Sequence, residues 1–237
     1  MSRIIIIVVL CSILTVQAKF PDDSKPCNYE DKQCIVELFN KLFIDKVVQI
    51  DPLKVAKMHL KQGVENPVRF DLIFKDNALI GLSKIRFTEV KGFAKDFAQK
   101  HELSINVKNL QMLGPYIAKG TLILLPVSGT GESNVTLDNT QMQITFTGNP
   151  FEKNGETYMD ISNLELTVKP GRIYYHFTNL FNGDKLLGDN VNAFLNDNWE
   201  LIFRQVEESF RSALKKIIEA IIKNVFTKYP YAKFFAE

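Results

Sequence analysis

The chain has few of the residues that most often carry chemistry: three histidines, three cysteines and one tryptophan in 237 residues. His59, His101 and His176 are scattered, and they form no metal-ligand spacing with the cysteines. No G-x-S-x-G turn, no H-E-x-x-H helix and no pair of carboxylates is legible, so no catalytic residue is assigned and no cofactor is expected. An excess of either charge is also missing. The 29 Lys and Arg face 27 Asp and Glu, a net charge of +2, which leaves no electrostatic footprint for nucleic acid.

Long apolar runs are absent after the first residues. Arg3, the stretch Ile4 to Leu14 and the small-residue site Val16-Gln17-Ala18 read as a secretory signal peptide, residues 1–18, with Lys19 opening the mature chain. Ile4 to Leu14 is too short for the ~20 apolar residues of a membrane span, so the protein is expected outside the cell. Residues 19–237 show no linker and are read as a single domain. Cys11 belongs to the leader, which leaves Cys27 and Cys34. In a secreted chain that even count favours a disulfide, with free thiols or metal ligation as the alternatives.

Asn134-Val135-Thr136 is an N-glycosylation acceptor triplet. Ser128-Gly129-Thr130-Gly131-Glu132 lacks the lysine of a phosphate-binding loop and precedes a strand pattern, so a hairpin tip is expected there.

The chain is otherwise rich in periodic pattern. Ile35, Leu38, Phe39, Leu42 and Phe43 predict a short amphipathic helix ending near Val48, before Asp51-Pro52. From Pro67 the period becomes two, as in Val68, Phe70, Leu72 and Phe74, and about seven antiparallel strands are predicted through Phe177. Gly148-Asn149-Pro150 and Lys169-Pro170-Gly171 are read as breaks between them.

Asn190 to Thr227 then reads as one continuous helix of roughly 57 Å at ~1.5 Å per residue. Its dry stripe carries Trp199, Ile202, Phe203, Val206 and Phe210, continuing to Ile217 and Ile221. Pairs such as Glu200 with Arg204, Glu207 with Arg211 and Glu219 with Lys223 are expected on its solvated face.

A stripe that long needs a cover. The surface of matching length is the inner face of a twisted, curled sheet. The expected class is therefore α+β, a strongly curved antiparallel sheet wrapped around a long C-terminal helix. With 18 Phe available, the interior is either a solid core or a lining for a long apolar ligand. In the second case Trp199, Ile202, Phe203, Val206 and Phe210 are the candidate lining, and Tyr116, Tyr158 and Tyr174 are candidates for an orienting hydroxyl. In the first, the protein is an extracellular interaction module, and the heptad spacing of Trp199, Phe203, Val206 and Phe210 also permits dimerisation through the helix.

Several segments resemble the insect takeout and juvenile-hormone-binding-protein family. They are Cys27-Asn28-Tyr29-Glu30-Asp31-Lys32-Gln33-Cys34 followed by Ile35-Val36-Glu37, then Asp51-Pro52-Leu53, Gly81-Leu82-Ser83 and Val90-Lys91-Gly92-Phe93. The most specific run is Asn179-Leu180-Phe181-Asn182-Gly183-Asp184-Lys185, leading to Gly188-Asp189-Asn190 and Asn196-Asp197-Asn198-Trp199.

The resemblance implies a secreted carrier of the tubular lipid-binding kind, binding a hydrophobic small molecule such as a juvenile hormone, a fatty acid or another lipid. With no catalytic motif legible, the chain is read as non-enzymatic, and it is expected to be a monomer. It implies a bridge between Cys27 and Cys34, and links to feeding, daily rhythm and chemosensation. The second disulfide of the hormone carriers has no counterpart here, which makes a takeout-like member the nearer likeness.

Overall fold

A computed structural model describes residues 20, 24–29, 31–46, 51–62, 68–122 and 125–236. The predicted signal peptide, residues 1–18, lies outside them, as does the predicted helix end near Val48.

A two-residue strand, β1 (Cys27–Asn28), precedes helix α1 (Lys32–Asn40). Asp31 caps this helix by accepting from the Cys34 N–H at 2.9 Å. A wider turn continues it through Lys41–Lys46. The large sheet then follows: β2 (Leu53–Gln62), β3 (Val68–Ile80), β4 (Ile85–Lys91), β5 (Lys100–Leu122), β6 (Leu125–Lys153), β7 (Glu156–Lys169) and β8 (Arg172–Phe177). Helices α2 (Lys185–Asp197) and α3 (Trp199–Lys228) come next, and a final short strand, β9 (Phe235–Ala236), pairs in parallel with β1.

The spine is the β5–β6 hairpin, 23 and 29 residues long, against the ~5–6 of an ordinary strand. Each long strand has two neighbours in succession. β5 pairs with β4 along its first half and with β3 along its second, while β6 pairs with β8 and then with β7. Halfway along, the inward-facing residues change parity on both strands at the same level. On β5, Leu103, Ile105 and Val107 give way to Leu110 and Met112; on β6, Val135 and Leu137 give way to Met142 and Ile144. Asn139, in left-handed conformation at φ 46°, stands at that level on β6, where the pairing with β5 continues without a shift. A pleat that switches faces midway coils a sheet this long into a roll.

Two expected breaks are absent. Gly148-Asn149-Pro150 lies inside β6, and the turn to β7 is Asn154-Gly155, both at positive φ as a two-residue hairpin requires. Ser128-Gly129-Thr130-Gly131-Glu132 is also internal to β6 rather than a hairpin tip. Its glycines serve close packing. A Cβ on Gly129 would stand 2.5 Å from the Tyr116 hydroxyl, and one on Gly131 would stand 2.6 Å from the Thr178 carbonyl, where the segment after β8 crosses over.

The predicted single helix is two. Asn198, at φ −114° and ψ 28°, separates α2 from α3, within the helix-poor run Asn196-Asp197-Asn198. α2 stays outside, along the edge of β8; α3, about 45 Å long at ~1.5 Å per residue, runs through the roll. Ile202, Phe203, Ala213, Leu214 and Ile217 are buried, packed with apolar residues of the chain's own sheet, so the heptad stripe is occupied in cis. Lys223 pairs with Asp160 of β7 at 2.9 Å rather than with Glu219, and Lys215 reaches Glu165 at 3.1 Å.

Candidate ligand-binding cavity

The space between α3 and the sheet is not filled throughout. At the end formed by β2, β3, β8 and α2 lies a cavity of about 160 Å³, roughly ten times the room one water needs. Met58, Phe74, Met112, Val135, Ile173 and Phe177 supply much of its sheet wall. Ile202, Phe203, Val206 and Phe210 supply the helix wall. Trp199 is not part of the wall. Standing at the start of α3, just past the break, it lies against Arg172, whose guanidinium is 5.7 Å from its ring. Sequence reasoning missed the contribution of α2, Val191 and Leu195, because one unbroken helix leaves no second wall element.

Further along the roll is a smaller cavity of about 60 Å³, bounded by Phe43, Ile85, Ile105, Ile144 and Ile218 among others. Leu110, Leu214 and Ile217 line both spaces. These three buried side chains form a septum.

Beyond the second cavity an aromatic cluster closes the roll. Phe39, Phe93 and Phe226 pack with His101, Phe146, Phe234 and Phe235 at centroid distances of 4.6–6.2 Å. The disulfide joins Cys27 to Cys34 with Cα atoms 5.7 Å apart, and the Cys27 N–H donates to the Phe234 carbonyl at 2.9 Å. The segments around Cys27 and Phe234 thereby clamp the closed end. The wide cavity reaches the opposite end of the roll at Arg69, Lys119 and Thr121.

Polar groups facing the wide cavity are few. The Tyr116 hydroxyl donates to the Thr178 carbonyl at 2.7 Å, and burial pushes its pKa up to about 12. Tyr174 points outward and is 50% exposed; Tyr158 stacks on Phe151, away from the wall. Tyr175, unmarked by sequence reasoning, lines the cavity, and burial drives its pKa far above the usual phenol value. The alternation Ile173, Tyr175, Phe177 inward and Tyr174, His176 outward is the signal that would have found it.

Asn134 lies mid-strand on β6, paired with Leu113 and His176, and accepts from the Thr136 hydroxyl at 3.0 Å. Among the described residues no three His, Cys, Asp or Glu gather as a metal site, and no helix is long and apolar enough to cross a membrane.

A roll of sheet around a buried helix, enclosing an apolar chamber, defines the tubular class of lipid-binding folds. Residues 5–236 match the family described as Haemolymph juvenile hormone binding protein (JHBP), and the chain belongs to that family. The crystal structure of Takeout 1 from Epiphyas postvittana superimposes with a TM-score of 0.77 at 22% identity, covering 90% of this chain and all of that one. Among relatives, the circadian clock-controlled protein daywake of Drosophila melanogaster is 25% identical over 229 residues, 91% of this chain and 88% of its own length. Its Drosophila yakuba counterpart is 24% identical over the same coverage.

Proposed function

We propose that this protein is a secreted, non-enzymatic, monomeric carrier, a single domain over residues 19–237, that sequesters an elongated apolar molecule in the wide chamber. The observation that carries the reading is the 160 Å³ cavity walled by aliphatic and aromatic side chains from both sheet and helix. Binding is driven by burying the ligand's hydrocarbon surface, ~25 cal/mol per Å². The wall, already formed by the sheet, α2 and α3, loses little conformational freedom when a ligand enters. Ile202, Phe203, Val206 and Phe210 contribute the helix side of the contact. Membership of the JHBP family, with daywake and Takeout 1 as relatives, supports a juvenile-hormone-like terpenoid, a fatty acid or a similar lipid as cargo. Asn134 is proposed to carry an N-glycan on the outer face of the roll.

Native mass spectrometry of the protein secreted from insect cells, followed by organic extraction, tests the proposal. A stoichiometric apolar molecule in the extract is the expected result. An unliganded mass that stays unchanged on incubation with terpenoid esters and long-chain lipids would refute it.

A further inference from the structure

A buried phenol ordinarily spends its hydroxyl on a hydrogen bond. Tyr116 follows the rule through the Thr178 carbonyl, and Tyr231 follows it through the Ala94 carbonyl at 3.1 Å. Tyr175 does not. It is 9% exposed, lines the wide cavity, and among the described residues its hydroxyl meets no hydrogen-bond partner. Its backbone is held firmly. The Tyr175 N–H donates to Asn196 Oδ1 at 3.0 Å, and Asn196 Nδ2 donates to the Tyr175 carbonyl at 2.7 Å. Strand pleat and helix α2 together hold the ring on the cavity side.

The geometry points to Tyr175 as the polar anchor of the chamber, its hydroxyl donating a hydrogen bond to an acceptor oxygen on an otherwise apolar ligand. This rests on the carrier reading above and narrows it. The favoured class is a neutral elongated molecule with an ester, ketone or ether oxygen set against β8. A hydrocarbon leaves the phenol unpartnered. An ionised carboxylate at that depth has no cation beside it, because the charged residues of the wall, Arg69 and Lys119, are exposed at its end.

The test compares methyl laurate with tetradecane, each competing against an apolar naphthylamine fluorophore, in the wild type, Tyr175→Phe and Tyr116→Phe. Tyr175→Phe is expected to weaken methyl laurate about three- to tenfold, the effect of one hydrogen bond, and to leave tetradecane and the fluorophore within about twofold. Tyr116→Phe, whose hydroxyl is already committed, should not separate ester from hydrocarbon. The infrared carbonyl stretch of methyl laurate bound to the wild type is expected below its value in hexane, a readout that needs no variant to fold. Equal effects of Tyr175→Phe on ester and hydrocarbon, or an unshifted carbonyl stretch, would overturn the anchor while leaving the carrier intact. Failure of the wild type to bind any of the three compounds would overturn both.

Discussion

His101 shows how one residue ties the closed end of the roll to pH. It is fully buried against Phe93 at 4.6 Å and Phe146 at 5.1 Å, with Nε2 3.1 Å from the Phe97 carbonyl. Burial holds its pKa below the ordinary imidazole value, outweighing the carbonyls of Phe97 and Gly92 and the charge of Asp96. The unfolded chain, with a histidine value of about 6.5, therefore takes up the proton more readily than the folded one. Above pH ~7 the ring is neutral in both states and has no effect. Below about 6.5, stability falls as the pH falls toward the folded value. Asp51 acts in a lower window. Burial raises its pKa, but the Ser83 hydroxyl and the N–H groups of Gly81 and Ser83 outweigh that and hold it below the usual carboxylate range, so its contribution disappears only below about pH 4. Urea melts between pH 7 and 5 should show declining stability for the wild type and a flatter profile for His101→Phe. Parallel profiles would assign the acid response to other groups.

At the level of elements, two asparagines of α2 take the place of a missing strand. Asn192 and Asn196 each accept from and donate to the free edge of β8, at Phe177 and Tyr175, with distances of 2.7–3.0 Å. A helix thus covers an edge that would otherwise expose unpaired backbone groups. Asn196→Ala removes both bonds to Tyr175 and one to the Asn192 carbonyl, and should lower stability by about 1–3 kcal/mol. Hydrogen exchange at the Tyr175 amide should accelerate more than at Phe177, which Asn192 still holds; equal acceleration would mean that α2 detaches as a unit. These contacts also explain which parts of the fold the sequence made legible. Period-two alternation and the dry stripe of α3 are local, and they predicted a curled sheet around a helix. The break at Asn198 was hidden because Asn192 and Asn196 look like solvated helix positions until β8 is placed beside them. The resemblance motifs mark mostly the frame: of their residues Leu180 lines the wide chamber and Leu82 the smaller one. Asp51 of one accepts from Gly81 and Ser83 of another, and Asp184 caps α2 through the Leu187 N–H at 3.0 Å. The wall residues come from seven separate elements, and no short spacing in the sequence joins them.

The whole roll is divided lengthwise, and that division should set the size of cargo. The wide chamber and the 60 Å³ space behind it are in line along α3, separated by Leu110 from β5 and by Leu214 and Ile217 from the helix. All three are at most 5% exposed, and the parity switch of β5 falls beside Leu110, where the coiling of the sheet brings strand and helix together. Aliphatic side chains at such a waist act by volume alone, because they offer no polar group to choose among ligands. An extended chain entering from the Arg69 end therefore stops at the septum. Truncating it should join the two spaces and let longer chains bind. In Leu214→Ala with Ile217→Ala, affinity across a series of saturated methyl esters should peak several carbons later than in the wild type. Stability should fall by about 2–5 kcal/mol for the leucine alone, the usual effect of an unfilled core position. Thermal melts would register that loss, and Ile217→Val offers a milder opening if the double variant does not fold. An unchanged optimum in folded variants, with the expected loss of stability, would make the three residues ordinary core and place the length limit at the Arg69 end. A shifted optimum would make the waist of the roll the ruler that measures its ligand.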